Sequence, residues 1–211
     1  MHEEVLPQRS LDLLDRLEAI ASPALAGWIL AGGTGLAFRL AHRESEDLDF
    51  FRTDDPDIHG LLDPLTRLGD CEILQEEAHT LTLLLHGTKL SFFSVGDPFL
   101  FATETHRFFA VADLRDIALM KLAAISGRCS RKDFIDLFMI LRHPPALADY
   151  FEWLPRKYRS RRFSAYHILK SLTWFEDAES EPMPRMRLPF DWNACKTFFI
   201  HEARSIVLSP S

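Results

Sequence analysis

Two aspartates, Asp47 and Asp49, are separated by one residue, a spacing that could support metal chemistry. The segment from Asp47 to Phe51 alternates charged and apolar residues, which predicts a strand. Residues i and i+2 of a strand point to one face, so Leu48 and Phe50 would point to the other face, into the core. Two like charges on one face are costly unless a cation joins them. The pair therefore predicts a site for Mg²⁺ or Mn²⁺, metals that can be bound through few carboxylates.

A glycine turn precedes this strand in the chain. Residues 27–31 form a short apolar run that predicts a buried strand, and Gly32-Gly33-Thr34 interrupts it before helical spacing begins. Glycines allow a sharp turn and a close approach of the backbone to a ligand. The amides at a helix start, together with the helix dipole, favour an anion. Gly32, Gly33 and Thr34 therefore predict a phosphate cradle, to which the Thr34 hydroxyl would add a donor.

Each of these features alone is usually structural. An Asp-x-Asp pair is commonly a solvated strand edge or a turn, and Gly-Gly-Thr is commonly just a turn. Their order along the chain is more specific: strand, glycine turn, helix and then the aspartate strand. If turn and strand lie side by side, phosphate and metal meet, and the metal could stabilise both the attacking and the leaving oxygen during in-line attack on a nucleotide.

Composition and charge limit the classes of protein to which this chain could belong. The 211 residues carry a net charge of −7, so binding to a polyanion would need a local basic patch. The three cysteines include no Cys-x-x-Cys pair, which fits a reducing compartment better than a zinc or redox motif. The N-terminus lacks the pattern of a secretory signal, and no apolar stretch approaches the roughly 20 residues of a membrane span. We expect a cytoplasmic protein with no membrane contact.

The spacing of apolar residues predicts an α+β N-terminal half, residues 1–112, and an all-helical C-terminal half, residues 113–211. In the first half we expect a helix capped by Ser10, a helix over 55–68, strands over 71–74, 80–86 and 89–95, and a tight hairpin at Gly87-Thr88. In the second half we expect helices over 113–127, 131–141, 146–153, 163–174 and 192–208.

With these residues in place, the sequence resembles the AbiEii/AbiGii-type nucleotidyltransferases of the polymerase β-like superfamily. The first matching block contains Leu30 to Thr34, Arg39-Leu40, His42-Arg43, Ser45 and Asp47 to Phe51. The second contains Asp113-Leu114, Asp116 to Ala118, Lys121 to Ala124, Arg128 and Lys132 to Leu137.

The resemblance implies a polymerase β-like core, a mixed sheet flanked by helices, with a helical C-terminal part that completes the active-site cleft. It also implies the use of an NTP and Mg²⁺. Members of the family include toxins of toxin–antitoxin and phage-defence systems, some of which add nucleotides to tRNA ends, so a cognate antitoxin is an implied partner.

The second block contains a lysine that projects from the inward face of its predicted helix, Lys121. A buried lysine needs an anionic partner, which could be a triphosphate, Asp49 or Asp136. The resemblance places Asp136 or Asp133 at the active site, with Asp136 preferred as a catalytic residue. A surface salt bridge from Lys132 to Asp136 is the structural alternative. Arg128 would extend the phosphate-binding face.

The pattern departs from the superfamily at one strand. Polymerase β-like enzymes often carry a third carboxylate on a neighbouring strand, but residues 89–95 contain no acid. Ser91 stands near the expected place, with Lys89 on the same face as a nucleotide-binding candidate, and Asp136 is the alternative source of the acid. Ser45, also assigned to the nucleotide site, would orient the turn before Asp47.

A dense basic run follows in the C-terminal half, between Trp153 and Phe163. Its arginines and lysine could contact tRNA phosphates while the flanking aromatic rings stack on bases; they are Arg156, Lys157, Arg159, Arg161 and Arg162. The alternative is a solvated basic face on an acidic chain.

Three functions compete on these observations. The leading hypothesis is a Mg²⁺-dependent nucleotidyltransferase that moves a nucleotide from an NTP to a tRNA end or a protein hydroxyl, with Asp47, Asp49, Lys121 and Asp136 as catalytic residues. A catalytically weak nucleotide-binding module that acts through a partner protein is the first alternative. Kinase-like phosphoryl transfer in the same pocket is the second.

Overall fold

The computed structural model of the protein describes residues 1–20, 22–159 and 163–206. The chain forms two compact units, Met1–Asp113 and Leu114–Ser211. No helix in the described ranges is both long enough and apolar enough to cross a membrane.

The first unit is built around one mixed sheet. Its strands are β1 (Ile29–Leu30), β2 (Leu48–Arg52), β3 (Cys71–Glu77), β4 (Thr80–Leu85), β5 (Thr88–Ser94), β6 (Glu104–His106) and β7 (Phe109–Val111). Among the described residues these seven strands lie in the order β3-β4-β5-β2-β1-β7-β6. The pairs β2–β5 and β1–β7 are parallel, and the other four neighbouring pairs are antiparallel. The sheet confirms the predicted α+β class.

Alternating side chains give β2 a buried core face and a second face that carries Asp49 and Phe51. Leu48 and Phe50 are fully buried, whereas Asp49 between them is only half-buried. Phe50 stacks on Phe92 of β5 with 5.5 Å between the ring centroids, and such aromatic pairs add to the stabilisation from burial. The predicted core face of this strand is therefore confirmed, whereas Asp47 lies just before the strand and not within it as predicted. The packed core face holds Asp49 in place.

Helix α1 (Gln8–Ala19) contributes Leu13, Leu14 and Leu17 to the same core. The prediction that Ser10 caps this helix is wrong. The N-cap residue is Pro7, since a proline is tolerated where a helix starts and an amide would have no intrahelical partner. Ser10 is instead buried in the first turn, where its hydroxyl lies 3.1 Å from the hydroxyl of Thr88.

Helix α2 (Gly32–Leu40) follows β1 directly, as predicted. The helix predicted over 55–68 is shorter than expected: a 3₁₀ turn, His59–Leu61, leads into α3 (Leu62–Thr66). Residues 55–58 and 67–68 of the predicted segment lie outside these two elements.

The hairpin between β4 and β5 is present, one residue earlier than predicted. His86 and Gly87 both have positive φ, 49° and 73°, so they form the turn and Thr88 begins β5. Positive φ at both central residues matches the twist of the flanking strands. Strands β6 and β7 were not predicted, because three residues are too few to show alternation.

The regular elements described in the second unit are helices: α4 (Leu114–Arg128), α5 (Arg131–Leu141), α6 (Leu147–Lys157), α7 (Ala165–Ser171), α8 (Glu176–Ser180) and α9 (Trp192–Ser205). The predicted helix over 163–174 is shorter at both ends, and α8 was not predicted. Residues 207–208 of the last predicted helix lie outside the described residues. Phe134 of α5 anchors the core, with ring centroids 5.5 Å from Phe199 and 5.1 Å from Phe175.

Candidate active site

The glycine turn and the aspartate strand lie side by side. The amide of Ala31 donates a hydrogen bond of 3.1 Å to the backbone carbonyl of Asp49. Gly32 has a φ of +61°, and a Cβ atom there would lie 3.4 Å from Oδ2 of Asp49. Glycine is the residue suited to this position, because it adopts positive φ freely and leaves room for the carboxylate.

Helix α2 begins beside the same carboxylate. The first helical hydrogen bond joins the amide of Gly35 to the carbonyl of Ala31, at 2.9 Å. The amides of Gly32, Gly33 and Thr34 precede that bond and have no partner within the helix. Such amides and the positive end of the helix dipole favour an anion, so the geometry suits a phosphate next to a metal-binding acid.

Asp47 and Asp49 fit a divalent cation that is bound only in part by protein. Asp47 is exposed just before β2, and Asp49 is half-buried within it. Across residues 1–20, 22–159 and 163–206, no group of three or more histidine, cysteine, aspartate or glutamate side chains could hold a metal alone. Mg²⁺ commonly keeps several waters and binds one or two carboxylates plus substrate phosphates. The donor set therefore suits Mg²⁺ delivered with a nucleotide.

Two buried hydroxyls hold the residue that precedes β2. The Thr34 hydroxyl, 1% exposed, donates to the backbone carbonyl of Asp47 and lies 2.7 Å from the Ser45 hydroxyl. The expectation that this hydroxyl serves a phosphate is wrong, because it is already used within the protein. The backbone amide of Thr34 stays a candidate for the phosphate. Ser45 orients the turn before Asp47, in agreement with its predicted role.

Arg39 at the end of α2 has a positioning role that the sequence did not suggest. Its guanidinium donates to the backbone carbonyls of Val111 and Ala112 and reaches Glu104 at 3.2 Å. The arginine thereby fixes the end of α2 against the end of β7. Arg39 was part of the resemblance, but its partners are more than 60 residues away, so spacing carried no signal for this role.

The register of β2 and β5 locates the residue that stands beside Asp49. Asp49 pairs with Ser91, and Leu48 pairs with Leu90. Ser91 is therefore level with Asp49, as expected, and no acid occupies this position. Lys89, two residues earlier, is exposed on the same face of the strand.

Four charged residues of the second unit form one cluster. Nζ of Lys121 lies 2.8 Å from Asp133 and 2.6 Å from Asp136, and all three side chains are buried. Arg128 donates to both carboxylate oxygens of Asp133, at 2.7 and 3.0 Å. The structural alternative of a surface salt bridge between Lys132 and Asp136 is wrong, because Asp136 is fully buried and pairs with Lys121.

The charges in this cluster determine the ionisation of Asp133. Burial raises the pKa of Asp133, but the ammonium of Lys121 and the guanidinium of Arg128 outweigh it and leave the pKa below its ordinary value. Asp133 therefore stays ionised and pairs with Lys121. Lys121 is thus paired with carboxylates of its own unit: Asp136, which was among the predicted partners, and Asp133.

Comparisons with known proteins agree with this geometry. Residues 12–84, which include the glycine turn and both aspartates, match the family described as nucleotidyl transferase AbiEii toxin, type IV TA system. An uncharacterised protein of Aquifex aeolicus is 36% identical over 191 residues, covering 88% of this chain and 91% of the relative. The chain belongs to the AbiEii nucleotidyltransferase family.

Two solved structures share the fold of this AbiEii-family chain. The nucleotidyltransferase toxin MenT4 of Mycobacterium tuberculosis superposes with a TM-score of 0.62 at 14% identity, covering 94% of this chain and 84% of that one. JHP933 of Helicobacter pylori superposes with a TM-score of 0.53 at 17% identity, covering 94% and 92%. At such low identities these similarities establish the fold alone.

The predicted RNA-binding run of this family member is only partly suited to RNA. Lys157 is 3% exposed and pairs with the buried Asp116 at 2.9 Å, so its assignment to an RNA surface is wrong. Arg156 and Arg159 are exposed and keep that assignment as a prediction. Arg161 and Arg162 lie outside the described residues.

Proposed function

We propose that this AbiEii-family chain is a Mg²⁺-dependent nucleotidyltransferase, which moves a nucleotide from an NTP to an acceptor, either a tRNA end or a protein hydroxyl. One observation carries the proposal: the backbone of the glycine turn is hydrogen-bonded to Asp49, whose carboxylate lies against Gly32. Anion-binding amides and a metal-binding acid are thus adjacent, as transfer of a metal-bound nucleotide requires.

The residues of the first unit divide into two roles. The amides of Gly32, Gly33 and Thr34 would bind the triphosphate, while Asp47 and Asp49 would hold the cation. The exposed Lys89 on the face of Asp49 adds positive charge for the nucleotide. When bound, Mg²⁺ would stabilise the negative charge on the phosphate oxygens. The protein contributes mainly position and fixed charge.

Lys121, Arg128, Asp133 and Asp136 enter the proposal as a preorganised charged cluster. We assign Lys121 to the stabilisation of phosphate charge, and Asp133 and Asp136 to holding its side chain in place. That residues 113–211 complete the active-site cleft stays a prediction.

The same proposal includes a tRNA acceptor. It also includes a role as the toxin of a toxin–antitoxin pair, with a cognate antitoxin protein as partner. The family description and the toxin MenT4 support it. If tRNA binds through the exposed arginines, charge reversal at Arg156 and Arg159 will weaken tRNA binding and reduce its salt dependence. Arg67→Glu, at an exposed arginine that directly follows α3 in the first unit, is the control and should leave tRNA binding unchanged.

The test of the reaction uses position-specific label. The protein is incubated with Mg²⁺, total tRNA or lysate, and each NTP labelled at the α- or the γ-phosphate. Label on an acceptor from the α-phosphate supports nucleotidyl transfer. Label from the γ-phosphate alone would show kinase-like chemistry instead and contradict the proposal.

The second candidate function is a catalytically weak nucleotide-binding module that acts through a partner protein. Ser91, in place of an acid beside Asp49, favours it, because a hydroxyl is a poor base and a poor metal ligand. Thermal stabilisation by an NTP with Mg²⁺, without transfer of either label, would select this candidate.

A further inference from the structure

Ser91 stands level with Asp49 on the neighbouring strand, and both side chains face the same way. The parallel register pairs Asp49 with Ser91 and, two residues on, Phe51 with Phe93. The rings of Phe51 and Phe93 stack at 5.1 Å, which shows that these positions share one face of the sheet. Neighbouring strands lie about 4.8 Å apart, so the Ser91 hydroxyl belongs to the surroundings of the Asp49 carboxylate.

The Ser91 hydroxyl is buried without a hydrogen-bond partner in the described part of the chain. The residue is 1% exposed, and its Oγ has no partner there. On the side of β5 away from Asp49, the residue level with Ser91 is Thr82 of β4. Burying an unpaired hydroxyl costs stability, and the polar side chain level with Ser91 on the neighbouring strand is Asp49.

The strands next to β2 also limit how many cations the site can hold. On one side the residue level with Asp49 is Ser91. On the other side Leu30 pairs with Phe50, and Ala31 follows it. Neither neighbour supplies a carboxylate, whereas two cations about 4 Å apart need acidic groups to hold both.

We propose that the site binds one divalent cation rather than two, and that the Ser91 hydroxyl donates a hydrogen bond to the Asp49 carboxylate when that cation is bound. The inference rests on the proposed function, because Asp47 and Asp49 are the carboxylates that bind the cation. Mg²⁺ usually keeps several waters when it binds to protein. Ser91 is a positioning residue in this account.

The experiment counts bound Mn²⁺ by the loss of the free-ion signal in electron paramagnetic resonance. The titrations use methylene-bridged analogues of the four NTPs, which resist cleavage between the α- and β-phosphates. A chain carrying both Asp47→Asn and Asp49→Asn gives the baseline for Mn²⁺ held by nucleotide alone. We expect one Mn²⁺ per wild-type chain above that baseline.

Ser91→Ala separates a role at the cation from a role in the fold. It should weaken Mn²⁺ binding roughly fivefold, the effect of about one hydrogen bond. It should leave the melting temperature of the ligand-free protein unchanged or raised, because an unpaired buried hydroxyl is removed. Ser91→Thr, which keeps the hydroxyl, should restore the affinity. Unchanged Mn²⁺ affinity in Ser91→Ala would overturn the role of Ser91.

Ser91→Asp tests the number of cations. It should raise the count to two, whereas Thr82→Asp, one strand further from Asp49, should leave it at one. Two cations in the wild type would overturn the inference while leaving the proposed function intact. No cation above the baseline in the wild type would remove both.

Discussion

A side chain at Gly32 would place its Cβ atom 3.4 Å from Oδ2 of Asp49, in a backbone conformation that L residues rarely adopt. A methyl group added to the turn that would bind phosphate would therefore be in van der Waals contact with the acid that would bind the cation. This contact makes the geometry of the site sensitive to one methyl group.

We expect Gly32→Ala to lower the rate of nucleotide transfer by at least about tenfold, because small displacements of reacting groups are costly. The positive φ should also lower the free energy of unfolding by about 1–2 kcal/mol. Gly69→Ala is the matched control: its φ is +80°, and nothing lies within 4 Å of the added Cβ. It should lose similar stability with normal transfer, and equal rates for the two variants would refute the crowding of Asp49.

Lys121 lies between two buried carboxylates, so its replacement should lower the free energy of unfolding. Lys121→Met leaves Asp133 and Asp136 without their shared ammonium and should lower the free energy of unfolding by about 3–5 kcal/mol. Lys132→Met, at an exposed lysine of α5, should change it by no more than about 0.5 kcal/mol. Urea unfolding at neutral pH measures both values, and a small effect at Lys121 would contradict the buried ion cluster.

An ion pair between Glu3, near the N-terminus, and Arg107, in the β6–β7 turn, should make the free energy of unfolding depend on pH. The hydrogen bond from Arg107 is the largest effect and lowers the pKa of Glu3 from 4.5 to about 2, although burial opposes it. Because the folded pKa is the lower one, this stabilisation is complete above the unfolded pKa and is lost as the pH falls toward the folded value.

Arg107→Ala should accordingly lower the free energy of unfolding by about 1 kcal/mol near neutral pH, a modest value because the pair is partly exposed to solvent. The difference from wild type should shrink as the pH falls from about 5 to about 2. Arg67→Ala, at a highly exposed pair with Asp63, should show little effect at either pH. A difference for Arg107→Ala that stays constant with pH would show that Glu3 is not its partner.

Local patterns were sufficient to predict the centre of the site. The run into Gly32, the helix after it and the alternation around Asp49 each depend on near neighbours in the chain, and each has its predicted form. The inward direction of Lys121 follows from helical spacing in the same way.

Features that depend on distant residues could not be predicted. Ser10 has the type of a capping residue, yet its hydroxyl meets Thr88, 78 positions away. Lys157 belongs to a basic run in sequence but is buried against Asp116, 41 positions away. In each case tertiary packing decided the role of a residue whose type and neighbours favoured another one.

The measurement that tests the account most directly is transfer of α-labelled nucleotide by Asp49→Asn, which keeps the size of the side chain and removes its charge. Asp63→Asn, an exposed aspartate of α3, is the control for an equal change in net charge. The account predicts that Asp49→Asn keeps the wild-type melting temperature without ligand and loses transfer, while Asp63→Asn transfers normally. Transfer by Asp49→Asn at the wild-type rate would contradict it.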